Sequence, residues 1–285
     1  MWRASRYKDV GRGNEMTRLK TEWIEYMLEG MDEYNRQLKA RTDMNLAELI
    51  KTTFHMKDEA FEQAKAVNKI AVIPITQGEG IIGSFSESVA AILESMGFEA
   101  LVMEHTDIDG IYEASERGCD LLFFADDVRY LALNIKSGKV SDNNYATALG
   151  FIQGLQALMN KHGKDIHQEK ILLIGYGIVG REAEKILAKE KIDFDIFDKD
   201  DTAIKGLPYP VLTERNQIKN YPYILDFTNE GEWLKKEFLH ADLLYASPGV
   251  PYSMDEEAKT CFEERSIHDN LEIGTAVMLG QILAD

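Results

Sequence analysis

The spacing of apolar side chains along the chain changes several times between a helical and a strand-like period. Between about residues 17 and 38, apolar side chains recur three and four positions apart, which predicts a helix with one buried stripe. A second helical stretch covers about 46–66 and is broken near His55. The apolar run 69–74 has the composition of a buried strand, and the glycine-rich segment 78–83 follows it. The chain therefore begins with helices and passes into a region that contains strands.

From residue 84 onward, predicted helices and strands alternate. The expected helices cover about 84–96, 111–117, 143–161 and 273–283, and a further helix runs from the end of the glycine turn 175–180 to about residue 191. The expected strands cover 100–103, 120–125, 170–174, 194–197, 223–227 and 242–246. Strands joined by helical crossovers form parallel sheets, whose ligands bind at the carboxyl ends of the strands. The predicted fold class is α/β: N-terminal helices plus a small parallel α/β domain in residues 1–142, then a Rossmann dinucleotide-binding domain in residues 143–285. The C-terminal helix is expected to pack on the first domain or across a dimer.

The composition narrows the class of protein. With 285 residues, 45% of them hydrophobic and 28% charged, the chain resembles a soluble globular protein. Two cysteines, Cys119 and Cys261, and the lack of any apolar run of fifteen residues predict a cytoplasmic protein with no membrane span. A net charge of −17 opposes binding to nucleic acid and to anionic membranes. The expected partners are a small-molecule substrate and, in a possible homodimer, a second copy of the chain.

The first twenty residues differ from the rest of the chain, because they contain six basic and two acidic side chains and show no apolar period. A basic arm that binds nucleic acid is one interpretation. The other, which we favour, is an unpacked terminus that precedes a start at Met16. Residues 1–16 are accordingly predicted to be disordered.

The segment from Gly175 to Gly180 follows an apolar strand, opens a helix and precedes an acidic residue at the end of the next strand. This context is typical of a dinucleotide-binding turn. Gly175 permits the tight turn, Gly177 lets a pyrophosphate approach the backbone, and Gly180 lets helix and strand pack closely. The N–H groups of Ile178 and Val179 are expected to bind phosphate oxygens.

Asp198 is the acidic residue, 23 positions after the first glycine of the turn. Its carboxylate is expected to accept hydrogen bonds from the adenosine ribose and to repel a 2′-phosphate, which predicts NAD rather than NADP. Asp200 and Asp201 compete with it for this role. The residues that follow the next two strands and are expected to border the nicotinamide are Thr228, Ser247 and Pro248.

Two carboxylates end the strand 120–125 of the first predicted domain. Asp126 and Asp127 are adjacent, and adjacent side chains of an extended segment point in opposite directions, so one of them faces the crevice. One is expected to cap a following helix. The other is placed to hold an amine or to move a proton.

The glycine-rich segment 78–83 leads into Ser84, Phe85 and Ser86 at a predicted helix start. A helix start of this kind is a candidate site for a substrate carboxylate. A turn that binds no ligand is the alternative interpretation.

Other chemistry has little support. The motifs C-x-x-C, H-E-x-x-H and G-x-S-x-G do not occur, and the six histidines lack the spacing of metal ligands, so no metal is expected. His167, His240 and His268 each flank a predicted turn, where we expect surface side chains.

Six segments together carry a further signal. In chain order they are Ile75-Thr-Gln-Gly-Glu-Gly-Ile-Ile-Gly-Ser-Phe-Ser86, Phe123-Phe-Ala-Asp-Asp127, Lys136-Ser-Gly-Lys139 with Asn143, Gly175-Tyr-Gly-Ile-Val-Gly180, Ser247-Pro-Gly-Val-Pro251 and Leu271-Glu-Ile-Gly-Thr-Ala276. From about residue 26 to the C-terminus the sequence thereby resembles the pyrrolysine synthase family, PylD. The first two segments are the most specific part of the resemblance.

The resemblance implies an NAD-dependent dehydrogenase whose substrate is 3-methylornithine joined through its carboxyl group to the ε-nitrogen of lysine. Oxidation of the terminal amine, loss of ammonia and cyclisation would give pyrrolysine. By position, the family's active-site aspartate corresponds to Asp126 and its substrate-side asparagine to Asn143. Its other pocket residues correspond to Leu122, Ser84, Phe85 and Ser86. A family contact from the first helix aligns near Tyr26, where this sequence differs.

Two other functions remain open at the level of the sequence. A methylene-tetrahydrofolate or amino-acid dehydrogenase has a similar architecture, suggested by the turn at 247–249 and the helix at Gly274. The folate enzymes need a catalytic tyrosine and lysine in the first domain, and no convincing pair is present. A module that binds NAD without catalysis is the third possibility, and the carboxylate at Asp126 argues against it.

Overall fold

The computed structural model describes residues 19–78 and 80–284, so the predicted disorder of residues 1–16 lies outside the described residues. None of the helices in these ranges is long and apolar enough to cross a membrane. The helices are α1 (Thr21–Ile24), α2 (Met27–Thr42), α3 (Leu46–Thr53), α4 (Asp58–Val67), α5 (Phe85–Ser95), α6 (Asp107–Glu116), α7 (Asn143–Lys161), α8 (Ile178–Glu190), α9 (Asp201–Ile204), α10 (Glu256–Phe262) and α11 (Glu272–Leu283). The strands are β1 (Lys69–Ile73), β2 (Glu99–Val102), β3 (Leu121–Ala125), β4 (Tyr130–Asn134), β5 (Lys139–Asp142), β6 (Lys170–Ile174), β7 (Asp193–Phe197), β8 (Tyr223–Asp226), β9 (Leu244–Ser247) and β10 (Ser266–His268).

The N-terminal helices begin and end at residues with clear local reasons to do so. The Asn45 side chain accepts the N–H of Glu48 at the start of α3, and the Glu48 carboxylate accepts the N–H of Asn45 in return. The predicted break near His55 is confirmed, since His55 has a positive φ of 51° between α3 and α4. The helix predicted over about 17–38 is divided into α1 and α2.

The first sheet has the strand order β2-β1-β3-β4-β5. Its first three strands are parallel, as expected, but β4 and β5 are antiparallel additions that the sequence did not predict. A short turn joins β3 to β4, so no helical crossover marks the new strand. Each added strand spans only four or five residues, and alternation over so short a run is a weak signal.

The second sheet is wholly parallel, with the order β10-β9-β8-β6-β7. The chain passes from β6 to β7 on one side and then returns to place β8 on the other side of β6. This reversal leaves a crevice beyond the carboxyl ends of β6 and β8, where ligands of such sheets bind.

Two helices connect the halves of the chain. α7 begins directly after the first sheet and packs on α8 and β9 of the second half as well as on α2. α11 follows the second sheet but packs on α3, α5, α7 and β5, so it covers the first sheet. Ser141 of β5 donates a hydrogen bond to Gln281 of α11, at 2.7 Å. The two sheets lie on either side of residue 143, where the sequence predicts the domain boundary.

Candidate functional site

A cavity of about 410 Å³ lies where the carboxyl ends of strands from both sheets meet. The first sheet contributes residues that follow β1 and β3, and the second contributes residues that follow β6, β7, β8 and β9. The predicted site residues that line the cavity are Phe85, Ser86, Asp126, Asn143, Gly175, Gly177, Ile178, Val179, Asp198, Thr228 and Pro248. Those that do not line it are Ser84, Leu122, Gly180 and Ser247.

The three glycines of the turn between β6 and α8 have different surroundings. Gly175 has a φ of +85°, and a Cβ there would lie 2.8 Å from the backbone carbon of Phe227. A Cβ on Gly180 would lie 1.9 Å from the carbonyl oxygen of Gly175. A Cβ on Gly177 would meet no protein atom within 4 Å, because this glycine faces the cavity. The protein's own packing therefore requires two of the glycines, whereas the third borders the open cavity.

The first turn of α8 borders the same space. Gly177 occupies the N-cap position and no side chain caps this helix. Ile178 and Val179 line the cavity at the helix start. Uncapped N–H groups at a helix N-terminus, together with the helix dipole, form a binding site for phosphate oxygens. The residues present thus fit a dinucleotide pyrophosphate.

Asp198 follows β7 and is held by the turn. Its Oδ2 accepts the N–H of Tyr176 at 2.6 Å, and its Oδ1 accepts the N–H of Asp200 at 2.8 Å. The Asp200 side chain is engaged elsewhere, since its Oδ1 accepts the N–H of Thr202 at the start of α9. Of the three competing aspartates, Asp198 lines the cavity and Asp200 and Asp201 do not.

Thr228, beyond the end of β8, is oriented by a buried carboxylate. Its N–H and its hydroxyl both donate to Oδ1 of Asp226, at 2.8 and 2.7 Å, and Tyr245 donates to the other oxygen of Asp226. Asp226 is fully buried, and this burial raises the pKa of its carboxyl group. Trp233 donates from Nε1 to the Thr228 hydroxyl at 3.2 Å. The network keeps one geometry for the loop that borders the cavity.

The turn after β9 has a supporting side chain beneath it. Ser247 is buried, and its Oγ accepts the N–H of Gly249 at 3.0 Å, so it shapes the turn while Pro248 lines the cavity. His268 donates from Nε2 to the carbonyl oxygen of Gly249 at 2.8 Å and stacks on the Tyr252 ring at 3.8 Å. The expectation of a surface position for His268 is wrong. Burial lowers the pKa of its imidazole to about 4.

Asp126 lines the cavity from the first sheet, directly after β3. Its Oδ1 accepts the N–H groups of Val128 and Arg129, at 2.8 and 2.7 Å, and so shapes the turn into β4. No helix follows, so the expected helix cap is wrong and the carboxylate stabilises a strand-to-strand turn instead. Asp127 also lines the cavity and lies against Gly78, where a Cβ would fall 2.0 Å from its Oδ2.

Asn143 is the first residue of α7, and its amide is held close to α11. Its Oδ1 accepts the hydroxyl hydrogen of Thr147 at 3.2 Å. A Cβ on Gly274 of α11 would lie 2.9 Å from Oδ1 of Asn143 and 2.8 Å from Oγ1 of Thr147. The absence of a side chain at Gly274 therefore leaves room for the asparagine beside the cavity.

The segment 84–86 meets the cavity with two of its three side chains. Phe85 packs edge-on against Tyr130, with ring centroids 5.5 Å apart, and the Tyr130 hydroxyl forms a hydrogen bond with Thr275 at 3.0 Å. Ser86 is buried at the cavity wall. Ser84 takes a positive φ of 64° before α5 and lies outside the lining.

Leu122 is turned away from the cavity. It packs with Ala71 and Met103 in the cluster on the α6 side of the first sheet. Side chains alternate along β3, and its neighbour Phe123 joins the large core on the other face. The pocket role that the resemblance assigned to Leu122 therefore does not match its position in this chain.

Several lining residues escaped the sequence analysis. Tyr130 belongs to an unpredicted strand, and Arg215 lies in an irregular segment without a pattern. The Arg215 guanidinium stacks over the Trp233 ring, 5.0 Å from its centroid. Lys199 was missed as well, although its place directly after Asp198 is a signal that could have found it.

The parallel second sheet, its glycine turn and the facing first sheet define an α/β protein with the fold of the Rossmann-type dehydrogenases. The structure of a bifunctional 5,10-methylenetetrahydrofolate dehydrogenase/cyclohydrolase from Thermoplasma acidophilum has a TM-score of 0.52 at 10% identity, over 83% of this chain and 95% of that chain. At this identity the likeness concerns the fold alone.

Sequence comparison is more specific. Residues 24–141 match the family model described as pyrrolysine biosynthesis protein PylD, N-terminal domain. Pyrrolysine synthase from Methanosarcina barkeri (strain Fusaro) is 30% identical over 222 residues, which cover 75% of this chain and 81% of that protein. The enzyme from Methanosarcina acetivorans is 29% identical over 219 residues, 75% of this chain and 82% of that protein. The chain belongs to the pyrrolysine synthase family, and the resemblance inferred from its six segments is confirmed.

Proposed function

We propose that this protein is an NAD-dependent dehydrogenase that oxidises the terminal primary amine of 3-methylornithyl-N6-lysine and so produces pyrrolysine. The observation that carries the proposal is one cavity lined both by a dinucleotide-type glycine turn of the second sheet and by Asp126 of the first. A dehydrogenase has to bring its hydride donor and acceptor together in one space, and this cavity joins the carboxyl ends of both sheets. Membership in the pyrrolysine synthase family supports the choice of substrate.

The residues at the second sheet suit NAD. The open position at Gly177 and the uncapped start of α8 accommodate a pyrophosphate. Asp198 offers a carboxylate to a ribose diol and repels a phosphate at the 2′ position. Pro248 and Thr228 line the same cavity and are candidates for contact with the nicotinamide.

The proposed reaction is a two-electron oxidation followed by hydrolysis and ring closure. When bound, NAD supplies the acceptor for the hydride that leaves the carbon next to the terminal amine. The amine also loses a proton, so a carbon–nitrogen double bond forms. Water then adds to that bond, ammonia leaves and an aldehyde remains. The α-amine of the same methylornithine part condenses with the aldehyde and releases water, which closes the pyrroline ring.

Asp126 is suited to hold the reacting amine. An alkyl ammonium with a pKa of about 10.4 must lose its proton before hydride leaves, which costs roughly 4.6 kcal/mol at pH 7. A carboxylate alone favours the charged ammonium, whereas apolar surroundings favour the neutral amine. The cavity offers both, since Ile73, Ile75 and Phe85 line it together with Asp126. We therefore assign Asp126 the roles of orienting the amine and accepting its proton.

A folate dehydrogenase remains the alternative enzyme class because of the shared fold. It would need a tyrosine and a lysine together near the first sheet. Among the described residues that line the cavity, the lysine is Lys199, at the dinucleotide end, and the Tyr130 hydroxyl is engaged with Thr275. This arrangement does not favour folate chemistry.

The test is the absorbance of NADH after mixing the protein, NAD and 3-methylornithyl-N6-lysine, with ammonia and product mass recorded in parallel. We expect NADH, ammonia and a product with the mass of pyrrolysine to form in equal amounts. Binding of NAD without oxidation of the amine would contradict the proposal and favour the alternative of a module that binds NAD without catalysis.

Asp126→Asn is the informative variant, because an asparagine oxygen can still accept the N–H groups of Val128 and Arg129 and keep the turn. Turnover is expected to fall by about 10²- to 10⁴-fold, the usual range for a positioned acid or base. Affinity for NAD should stay unchanged. Asp109→Asn, in the exposed part of α6, is the matched control and should retain full turnover.

A further inference from the structure

A pair of opposite charges lies at the dinucleotide end of the cavity. Lys199 directly follows Asp198 after β7, and Glu230 lies in the loop that follows β8. Both residues line the cavity, and the ammonium group of Lys199 forms an ion pair with Oε2 of Glu230. The pair therefore links the two loops between which the adenosine half of a dinucleotide lies in this fold.

A cation next to the ribose-binding acid has a known chemical use. In dinucleotide-binding sheets, a basic side chain near this position accommodates the 2′-phosphate that distinguishes NADP from NAD. Lys199 is such a cation by position, and taken alone it would favour NADP. The second nearby cation, Arg215, lies over the Trp233 ring. Glu230 faces both, since Lys199 and, to a smaller extent, Arg215 hold the pKa of its carboxyl below its usual range.

We propose that Glu230 is a specificity-determining residue for the cofactor: it engages Lys199 and thereby withholds that ammonium from a 2′-phosphate. Asp198 then repels the phosphate directly, and Glu230 removes the cation that would compensate for this repulsion. The inference rests on the proposed dinucleotide binding and names a second residue that decides which dinucleotide is bound.

Glu230→Gln tests the inference because it removes the charge and keeps the size of the side chain. Binding of NADH and NADPH is measured separately by fluorescence titration at low salt, without amine substrate. We expect NADPH to bind roughly tenfold more tightly than to the unchanged protein, since one freed cation and one lost anion each contribute up to about fivefold at an exposed site. The affinity for NADH should change by less than about threefold, because NADH lacks the 2′-phosphate that the freed ammonium would bind.

Glu257→Gln is the matched control. Glu257 forms an ion pair with Lys236 at 3.1 Å on the surface of the same half of the chain, and neither residue lines the cavity. This variant loses an exposed carboxylate of similar kind, so any general effect of net charge on NADPH binding appears in it equally. An equal gain in the control would overturn the inference.

The double variant Lys199→Gln/Glu230→Gln separates the freed ammonium from the lost carboxylate. The gain in NADPH affinity should largely disappear in the double variant, because the cation that binds the phosphate is gone. Persistence of the full gain would overturn the role of Lys199, and no gain in Glu230→Gln would overturn the whole inference.

Failure of the proposed function has a different signature. If the unchanged protein binds neither NADH nor NADPH, dinucleotide binding itself is wrong. If the unchanged protein binds NADH and the Glu230→Gln variant has the same ratio of NADH to NADPH affinity, the proposed function stands and the role of Glu230 is wrong.

Discussion

Gly177 and Gly180 are three residues apart, yet alanine at each position is expected to have opposite consequences. Gly177 has a φ of −76°, and an added Cβ meets no protein atom within 4 Å. An added Cβ at Gly180 would press into the carbonyl oxygen of Gly175, which is backbone and cannot move freely. The fold thus needs a glycine at 180, whereas at 177 an added methyl group would only enter the cavity.

We expect Gly177→Ala to leave the unfolding free energy nearly unchanged and to weaken NAD binding at least about tenfold, since the methyl group occupies the place of a pyrophosphate. Gly180→Ala should destabilise the protein by about 1–3 kcal/mol, the usual cost of overpacking. Urea unfolding and NADH titration of both variants check this. A Gly177→Ala protein that binds NAD normally would contradict the pyrophosphate assignment.

At the scale of one residue, the sequence was informative where a side chain acts through its neighbours along the chain. The glycine turn and Asp198 could be recognised because strand, turn and helix are consecutive. His268 and Leu122 could not, because their environment is made by distant segments: the backbone of Gly249 and the cluster on the α6 side of the sheet.

The contact between α7 and α11 shows how two elements position one side chain. Gly274 on α11 lies against Asn143 and Thr147 of α7, and Gly150 on α7 lies against Ile273 of α11. Both glycines permit the helices to approach closely. A methyl group at Gly274 would meet the polar ends of side chains near the cavity, whereas a methyl group at Gly150 would meet apolar side chains of the core.

Gly274→Ala should therefore affect activity more than stability. The displaced groups are side-chain ends that can rotate, and alanine is the better helix former by about 1 kcal/mol, so we expect a change in stability below about 1 kcal/mol. Rotation of Asn143 should lower kcat/KM by about tenfold or more. Gly150→Ala is the matched comparison, because its Cβ falls 2.4 Å from Cγ2 of Ile273 and should reduce stability first. Unchanged kcat/KM in Gly274→Ala would contradict the role of Asn143.

Elements were predictable from the sequence to the extent that they are long and flanked by clear signals. α7 was predicted with the bounds it has, and the structure shows that the Asp142 side chain caps the start of this nineteen-residue helix. β4 and β5 were missed, since their register with β3 depends on a turn shaped by Asp126 and on the cover that α11 supplies from the far end of the chain.

At the scale of the whole molecule, stability should depend on pH through a buried histidine. The pKa of His268 is about 4 in the folded protein against an ordinary value of 6.5, so the unfolded chain binds a proton first as the pH falls. This contribution to stability is complete above pH 6.5 and is lost as the pH falls toward 4. Buried carboxyls such as Asp226, whose pKa is raised, act in the opposite direction.

His268→Gln isolates the contribution of the histidine. Between pH 7.5 and pH 5 the unchanged protein should lose about 2 kcal/mol more unfolding free energy than the variant, given the shift in pKa. Urea unfolding at the two pH values measures the difference. Parallel losses in both proteins would contradict a neutral, buried imidazole, and His162→Gln, at the end of α7, serves as the control.

The return of α11 to the first sheet means that residues 272–283 complete a wall begun more than a hundred residues earlier. Tyr130 and Ser141 rest on side chains of this helix. A gene truncated after residue 270 would still encode all five strands of the second sheet, yet the first sheet beside Asp126 would lose the helix that covers it. Mutations that shorten the reading frame should therefore harm substrate handling before they harm dinucleotide binding. Cutting the chain at residue 143 would therefore not release the first half as an independent unit. Residues 271–284 would have to be joined to that half, as in a circular permutation.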